Sequence, residues 1–156
     1  MLKEFKKLPY RKCVSAVVMK GSKFLIVQNK SYKNNEWKFL SGGVKRNETK
    51  EKTLFRELKE ELGTRNFEIV FKSKYKSVYN WPDEIIKRRH SRFKGQSQTI
   101  FFVKFLGKFS DIEIDEGELK DHKWVREDQL RHYLIFPNQY KRFWRIIDEY
   151  NKLKKQ

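Results

Sequence analysis

The chain has 156 residues, a length typical of one folded domain, which can bury roughly 70% of the surface of its unfolded chain. Lys and Arg number 37 against 20 Asp and Glu, so the formal net charge is +17 and a polyanionic partner is expected. A hydrophobic content of 38%, with 13 Phe, 7 Tyr and 4 Trp, excludes a basic disordered tail.

Cysteine and histidine usage limits the class of protein further. Cys13 is the single cysteine, which excludes an internal disulfide, and one thiol with 3 scattered histidines does not match a zinc site. No signal-peptide region is apparent, and no run approaches the ~18 apolar residues of a membrane span. We therefore expect a cytoplasmic protein that does not enter the membrane, and no feature indicates an obligate protein partner.

The amino-terminal third predicts a hairpin and a short strand. Two β-rich runs, 13–19 and 24–27, are separated by a turn in which Gly21 supplies the positive φ of a hairpin. A third strand is expected over 37–40. The glycine pair that follows marks a change from strand to helix periodicity.

A helix is predicted over 49–62. Gly63 supplies its stop signal. Its apolar stripe recurs every fourth residue, at Leu54, Leu58 and Leu62.

The remainder predicts strands and then a final helix. The strand segments, rich in β-branched and aromatic residues, are 67–70, 74–79, 99–105 and 123–125. A polar, basic connection is expected over 82–94. The final helix follows Pro137-Asn138 and carries an apolar stripe of Phe143, Ile146, Ile147 and Tyr150. Strands around two helices predict an α+β or mixed α/β fold, with one domain over 1–156.

Three carboxylates, Glu57, Glu60 and Glu61, are expected on one face of the first helix, because residues three and four apart are neighbours. At ~6 Å and an effective dielectric constant of ~20, each pair repels by roughly 3 kcal/mol before screening. A divalent cation removes this repulsion, and an all-oxygen site suits Mg²⁺ or Mn²⁺. The alternative is a solvated helical face, which is the commoner use of an isolated E-x-x-E-E.

The wider spacing resembles the Nudix box, G-x5-E-x7-R-E-U-x-E-E-x-G-U, in which U is aliphatic. The matching residues are Gly42, Glu48, Arg56, Glu57, Leu58, Glu60, Glu61 and Gly63. Such a register is expected by chance in on the order of one chain in a million. Thr64 replaces the last aliphatic residue of the pattern. The resemblance implies an α/β/α sandwich, with a mixed sheet between the box helix and the carboxyl-terminal helix.

The resemblance also implies roles for the residues of the box. The implied metal ligands are Gly42, Glu57, Glu60, Glu61 and Glu118. Arg56 is placed among the catalytic residues and braced by an ion pair with Glu48, while Gly43 lets the backbone approach metal or phosphate.

Outlying elements resemble the branch of bacterial RNA pyrophosphohydrolases and asymmetric diadenosine polyphosphate hydrolases. They are Tyr10-Arg11, Trp37-Lys38-Phe39, Gly95-Gln96-Ser97-Gln98 and Glu118 ahead of Trp124-Val125. The resemblance makes Glu118 an additional metal ligand or general base. It implies substrate contacts at Arg11, Gln96, Gln98, Phe136 and Lys141. The plainer alternatives are exposed strand glutamines, a surface arginine, an acidic loop around Glu118 and a core position for Phe136.

Departures from this branch occur at the predicted mouth of the site. Leu40 replaces the usual proline, and Lys45-Arg46-Asn47 replaces an Asn-Pro-Gly type of turn. Pro137 follows Phe136 where a lysine is usual, which leaves Lys141 as a substitute.

The expected activity is metal-dependent hydrolysis of a phosphoanhydride, with Glu57 or Glu118 accepting the proton of the attacking water. The expected partner is a nucleoside polyphosphate, with 5′-polyphosphorylated RNA favoured over diadenosine polyphosphates by the +17 charge. The alternative is a non-catalytic Nudix-fold module that binds nucleotides or RNA. Retention of Glu57, Glu60 and Glu61 argues against it.

Basic and aromatic residues interleave in and around the predicted connection. The basic ones are Lys72, Lys74, Lys76, Lys87, Arg88, Arg89, Arg92 and Lys94; the aromatic ones are Tyr75, Tyr79, Trp81 and Phe93. This combination is used to bind single-stranded nucleic acid. A lysine-rich or thermophilic host would give similar runs without a ligand.

Overall fold

The computed structural model describes residues 1–156, which build one six-stranded sheet with helices on both faces. The strands are β1 (Arg11–Lys20), β2 (Lys23–Asn29), β3 (Leu40–Gly43), β4 (Phe67–Asn80), β5 (Gly95–Phe105) and β6 (Leu119–Arg126). The helices are α1 (Lys50–Leu62), α2 (Asp83–Arg88), α3 (Leu130–Tyr133) and α4 (Gln139–Lys154). Single 3₁₀ turns cover Phe5–Lys7, Phe109–Asp111 and Glu127–Gln129.

The sheet is mixed, and β1 is its central strand. The strand order is β4-β5-β1-β2-β6, and β3 pairs with β1 beside the start of β2. The β1/β5 pair is parallel, and the other pairs are antiparallel. The parallel register sets Arg11 opposite Gln96 and Cys13 opposite Gln98, so the starts of two strands meet at one end of the sheet.

Alternate residues of β1 enter two separate cores. Val14, Ala16 and Val18 pack in the core that contains the leucine stripe of α1. Val17 packs on the other face, in the core formed with α4. All three leucines of the α1 stripe are fully buried, and each such burial contributes roughly 1.5–3 kcal/mol. The predicted α/β/α arrangement around a mixed sheet is confirmed.

The predicted hairpin is confirmed, with Gly21 at φ 60° between β1 and β2. The predicted strand over 37–40 is wrong in its position, because β3 begins at Leu40. Lys38 forms only an isolated bridge with Val27, and the carbonyl of Trp37 accepts a hydrogen bond from a side chain of α4 instead of a strand.

The predicted strands 67–70 and 74–79 are one strand, β4. Its pairing with β5 shifts register twice, between Ile69 and Phe71 and between Lys72 and Lys76. These irregularities absorb extra residues without ending the strand. The polar, basic connection expected over 82–94 contains a short helix, α2, which is held by the fully buried side chain of Ile86.

No helix of the protein combines the length and the apolar character needed to cross a bilayer.

Candidate active site

Local sequence signals orient α1. Thr49 caps the helix by accepting a hydrogen bond from the amide of Lys52, and Gly63 ends it in the left-handed region at φ 80°. Because the leucine stripe fixes the rotation of the helix against the sheet, Glu57 and Glu61 turn inward beside that stripe.

Three of the four α1 glutamates, Glu57, Glu60 and Glu61, form what we call the carboxylate cluster, and Glu61 is the most enclosed of them. It is 8% exposed, and its Oε2 atom is buried without a hydrogen-bond partner. Burial raises the pKa of Glu61 to about 8; the ammonium of Lys38 opposes this shift, and the charges of Glu57 and Glu118 add to it. A buried carboxylate oxygen without a hydrogen-bond partner is unfavourable unless a bound cation or a proton compensates its charge.

Glu57 lies against the glycine pair of β3. A Cβ atom at Gly42 would collide with the Glu57 carboxyl group, so only glycine permits this approach. Burial raises the pKa of Glu57, and the guanidinium of Arg56, whose Nη1 is 2.8 Å from Glu57 Oε1, opposes the shift.

Arg56 joins α1 to the loop that connects β3 with α1. Its Nε atom donates to Glu48 Oε2 at 2.8 Å, and Nη2 donates to Glu48 Oε1 at 2.9 Å and to the carbonyl of Gly43 at 3.0 Å. Hydrogen bonding to Arg56 holds the pKa of Glu48 well below its usual range. Such two-pronged pairing fixes geometry as well as charge.

Glu60 is the most exposed member of the carboxylate cluster. Its side chain is 52% exposed, and its Oε2 atom lies 3.3 Å from Arg56 Nη1, the same atom that pairs with Glu57. No three acidic, histidine or cysteine side chains stand close enough to form a ready-made metal cage. Glu57 and Glu60 nevertheless lie beside the same Arg56 Nη1 atom, at 2.8 and 3.3 Å, and the charge of Glu60 acts on both Glu57 and Glu61. The convergence of the three carboxylates on one cation stays a prediction.

The donor set nevertheless fits a divalent cation. The unpartnered Glu61 oxygen and the close approach of Glu57 to Gly42 leave negative charge beside an open stretch of backbone. Every available donor is oxygen, which suits Mg²⁺ or Mn²⁺.

Glu118 lies at the end of the loop that closes the carboxyl end of α1. The amide of Asp115 donates to the Glu61 carbonyl at 3.0 Å, and the amide of Glu118 donates to the Asp115 carbonyl at 3.0 Å. The Glu118 side chain is exposed, and its charge acts on Glu61. This loop brings a fourth carboxylate near the carboxylate cluster.

Lys38 was not identified as a site residue from the sequence. Its Nζ atom donates to Ser41 Oγ at 3.2 Å, and Glu61 and Glu57 attract it, although burial lowers its pKa. The available signal was its place between two large apolar residues, Trp37 and Phe39, which are buried and force the lysine to the opposite side.

Arg11 and the two glutamines of β5 lie together at the end of the sheet. The guanidinium of Arg11 packs where a Cβ atom of Gly43 would be. The hydroxyl of Tyr79 donates to Gln96 Oε1 at 2.8 Å, and Gln98 Nε2 donates to the same oxygen at 3.0 Å. Gln98 is 5% exposed, so it positions Gln96 from below.

Phe136 and Lys141 differ in their surroundings. Phe136 is half-buried and meets the ring of Tyr32 edge-on, with 5.2 Å between the centroids. Lys141 is exposed on α4 and makes no side-chain hydrogen bond or ion pair within the chain.

Arg142, the residue after Lys141, was not predicted. It lies over the Tyr79 ring at 4.7 Å, and its Nε atom donates to Ser77 Oγ at 3.0 Å. No carboxylate pairs with it. An amphipathic pattern on a terminal helix does not reveal such a position, because the strand it meets is distant in sequence.

Comparison with known proteins agrees with this architecture. Residues 9–145 match the NUDIX domain family. The RNA pyrophosphohydrolase of Wolbachia pipientis subsp. Culex pipiens (strain wPip) is 32% identical over 148 residues, covering 92% of this chain and 91% of that protein. The RNA pyrophosphohydrolase of Orientia tsutsugamushi (strain Boryong) is 32% identical over 154 residues, covering 96% and 95%.

Solved structures share the fold at lower identity. The E. coli dihydroneopterin triphosphate pyrophosphohydrolase has a TM-score of 0.68 at 15% identity, covering 90% of this chain and 99% of that one. A C. elegans Ap4A hydrolase has a TM-score of 0.65 at 16% identity, covering 92% and 98%. The chain therefore belongs to the Nudix family, and it is a Nudix pyrophosphohydrolase.

Proposed function

We propose that this enzyme hydrolyses a phosphoanhydride bond in the 5′-triphosphate end of RNA, with Mg²⁺ or Mn²⁺ as cofactor. The observation that carries the proposal is the pair of buried glutamates, Glu57 and Glu61, beside a glycine pair and next to the Arg11 end of the sheet. Similarity to RNA pyrophosphohydrolases over more than nine-tenths of the chain supports this substrate.

The ligands proposed for the cation are Glu57, Glu60 and Glu61, with Gly42 and Glu118 beside them. A divalent cation held there would supply positive charge against the phosphate oxygens and make water more acidic. The open position of Glu60 is compatible with this role, because breaking its long contact with Arg56 frees the carboxylate to turn inward.

The protein's own groups supply the proton transfer. As water attacks a phosphorus atom, Glu57 or Glu118 accepts its proton, and the bond from phosphorus to the bridging oxygen breaks. Burial favours the protonated form of Glu57, whereas Glu118 is exposed. Arg56 takes part by holding Glu57 in place while Glu48 and Gly43 hold Arg56.

The end of the sheet holds the rest of the nucleotide. We assign phosphate contacts to Arg11 and to the uncompensated Arg142, and polar contacts to Gln96, which Gln98 positions. Phe136 is proposed to stack on a base of the substrate, and Lys141 is proposed as a cation at the outer edge of the site.

Parallel assays with purified protein test this function. We expect 5′-triphosphorylated RNA to be hydrolysed with a higher kcat/KM than diadenosine tetraphosphate or free nucleoside triphosphates, in the presence of Mg²⁺ or Mn²⁺. Product identification then separates release of pyrophosphate from stepwise release of phosphate. The control is the Glu61→Gln variant purified in the same way, because any hydrolysis in that sample measures the background from contaminants. A preference for diadenosine tetraphosphate would contradict the RNA assignment, and no turnover of any substrate would contradict the site.

A further inference from the structure

We call the residues assigned above to nucleotide binding, Arg11, Gln96, Phe136, Lys141 and Arg142, the nucleotide cleft. A second group of like charges lies on the face of the sheet opposite to the side chains of Arg11 and Gln96. It consists of Lys12, Lys50, Lys72 and Lys76, and we call it the lysine face. Only Lys72 and Lys76 belong to the basic segment identified in the sequence, since Lys12 is in β1 and Lys50 begins α1.

Strand register places three of these lysines on one side. Lys12, Lys76 and Lys72 pair with three successive alternate residues of β5, namely Ser97, Thr99 and Phe101. Phe101 belongs to the core that contains the α1 leucines, so this series points toward the α1 side. Lys50 joins them from the first turn of α1.

The lysine face has no acidic partner. The five ion pairs of the protein involve only Arg56, Arg126 and Lys152 as cations. Lys12, Lys72 and Lys76 are exposed, and the Nζ atom of Lys72 lies over the Phe101 ring, 5.9 Å from its centroid.

The mutual repulsion of the lysine face acts on Lys50. Burial lowers the pKa of Lys50, and the charges of Lys76, Lys72 and Lys12 lower it further. The charge of Glu51 opposes this shift, but its effect is the smallest of the five. Because no acidic side chain of the protein pairs with these four lysines, their charge is balanced by anions in solution or by a bound polyanion.

The lysine face adjoins the nucleotide cleft at the end of the sheet. The carbonyl of Lys12 accepts from the amide of Val44 at 3.0 Å, directly after the glycine pair. The side chain of Lys12 and that of its neighbour Arg11 leave β1 on opposite faces. A chain that leaves the cleft past Arg11 therefore reaches Lys12 by crossing one end of the sheet.

Two cations of the basic connection, Arg89 and Lys94, are already engaged. The guanidinium of Arg89 lies 5.5 Å from the Trp81 ring, and Lys94 lies 4.7 Å from the Tyr10 ring and donates to the carbonyl of Lys6. These contacts fold the connection against the amino-terminal segment. In the lysine face only Lys72 has a contact of this kind, with the Phe101 ring, and none of the four lysines donates a hydrogen bond from its side chain.

We propose that the lysine face binds backbone phosphates of the RNA chain downstream of the 5′ end, so that it holds the body of the substrate while the cleft holds its terminus. This inference rests on the proposed function. Exposed ammonium groups spread over three elements suit a flexible polyanion, because they act as point charges without fixed geometry. An acidic protein partner fits less well, since protein interfaces are depleted in lysine and the exposed apolar residue here is a single valine, Val78.

The test compares two fourfold variants of equal net charge. One carries Lys→Gln at Lys12, Lys50, Lys72 and Lys76. The matched control carries Lys→Gln at Lys3, Lys7, Lys104 and Lys155, which are exposed and outside the lysine face. Binding of a 5′-monophosphorylated 20-nucleotide RNA is measured by fluorescence anisotropy over a series of KCl concentrations, so that no turnover interferes.

The lysine-face variant is expected to lose about 3 units of log–log salt slope, at roughly 0.7 per phosphate contact on a single strand. The control is expected to lose less than about 1 unit. In turnover assays the lysine-face variant raises KM for 5′-triphosphorylated 20-nucleotide RNA about tenfold or more, while its rate on diadenosine tetraphosphate stays unchanged.

Equal slopes for the two variants would overturn the inference and leave an acidic partner or solvation as the use of these lysines. The inference and the proposed function fail separately. If wild-type protein does not hydrolyse RNA ends but the slope difference remains, the RNA-binding surface stands and the assigned substrate falls.

Discussion

The carboxylate cluster and the lysine face are both groups of like charge, but they differ in burial and in partners. Glu57 and Glu61 are nearly enclosed, and Arg56 bonds to Glu57 and braces the loop beside it. The lysine face is mostly exposed, and no side chain of opposite charge is paired with it.

This difference separates two uses of electrostatics. Burying like charges costs free energy in the folded protein, so such a group is expected where a ligand or reaction compensates it. Exposed like charges cost little because water and salt screen their repulsion, and their summed field attracts a polyanion to the surface, which suits capture more than chemistry. Substitutions in the carboxylate cluster should therefore change turnover, and substitutions in the lysine face should change RNA binding and its salt dependence.

The largest expected effect comes from Glu61→Gln. We expect kcat to fall by roughly a hundredfold to a thousandfold, because a neutral amide removes charge from the proposed metal site while keeping its shape. Calorimetric titration with Mn²⁺ should show weakened binding. Glu68→Gln, at an exposed glutamate of β4, is the control and should leave both measurements unchanged. Near-normal hydrolysis by Glu61→Gln would place the chemistry elsewhere.

The pH dependence of stability sharpens the same point. In chelator-treated protein the pKa of Glu61 rises from 4.5 to about 8, so the folded state holds a proton that the unfolded state releases. The free energy of unfolding should therefore decrease as pH rises between 4.5 and 8, by up to about 1.4 kcal/mol per pH unit. Urea unfolding at several pH values measures this. In the Glu61→Gln variant the free energy of unfolding should not decrease in this way. An equal decrease in both proteins would show that Glu61 is not its cause.

Arg56→Ala tests whether the buried cluster depends on its internal cation. Loss of the guanidinium leaves Glu48 and Glu57 without their partner, and we expect the metal-free Tm to fall by roughly 5–10 °C. Lys152→Ala is the matched control, since its ion pair with Asp148 is exposed and should be worth less than about 2 °C. Equal shifts in Tm would show that burial adds nothing to the Arg56 network.

The smallest expected effect concerns the nucleotide cleft. Phe136→Ala should raise KM for an RNA substrate about tenfold with little change in kcat, because stacking on a base contributes roughly 1–3 kcal/mol. Phe109→Ala removes an exposed aromatic ring elsewhere, which lies edge-on to Trp124 beside the α1 core, and serves as the control. A fall in kcat without a change in KM would argue against stacking.

Features set by neighbours in sequence were predictable, and features set by distant pairing were not. The leucine stripe, the Thr49 start and the Gly63 stop of α1 depend on spacings within one helix, so its course was predicted. The inward turn of Glu61 and the outward turn of Glu60 depend on how that helix sits on β3. Lys38 and Arg142 enter the site through contacts with strands and loops remote in sequence, which composition and periodicity do not report.

Gln139 links the Phe136 segment to the segment ahead of β3 through a single amide group. Its Nε2 atom donates to the carbonyl of Trp37 at 2.8 Å, and its Oε1 atom accepts from the amide of Phe136 at 3.1 Å, in a side chain that is 4% exposed. Because one end of the amide must donate and the other must accept, only one orientation satisfies both segments. The separation between the Phe136 segment and the Trp37 segment is thus set by the length of one carboxamide, which also holds Phe136 and Lys38 at a fixed spacing.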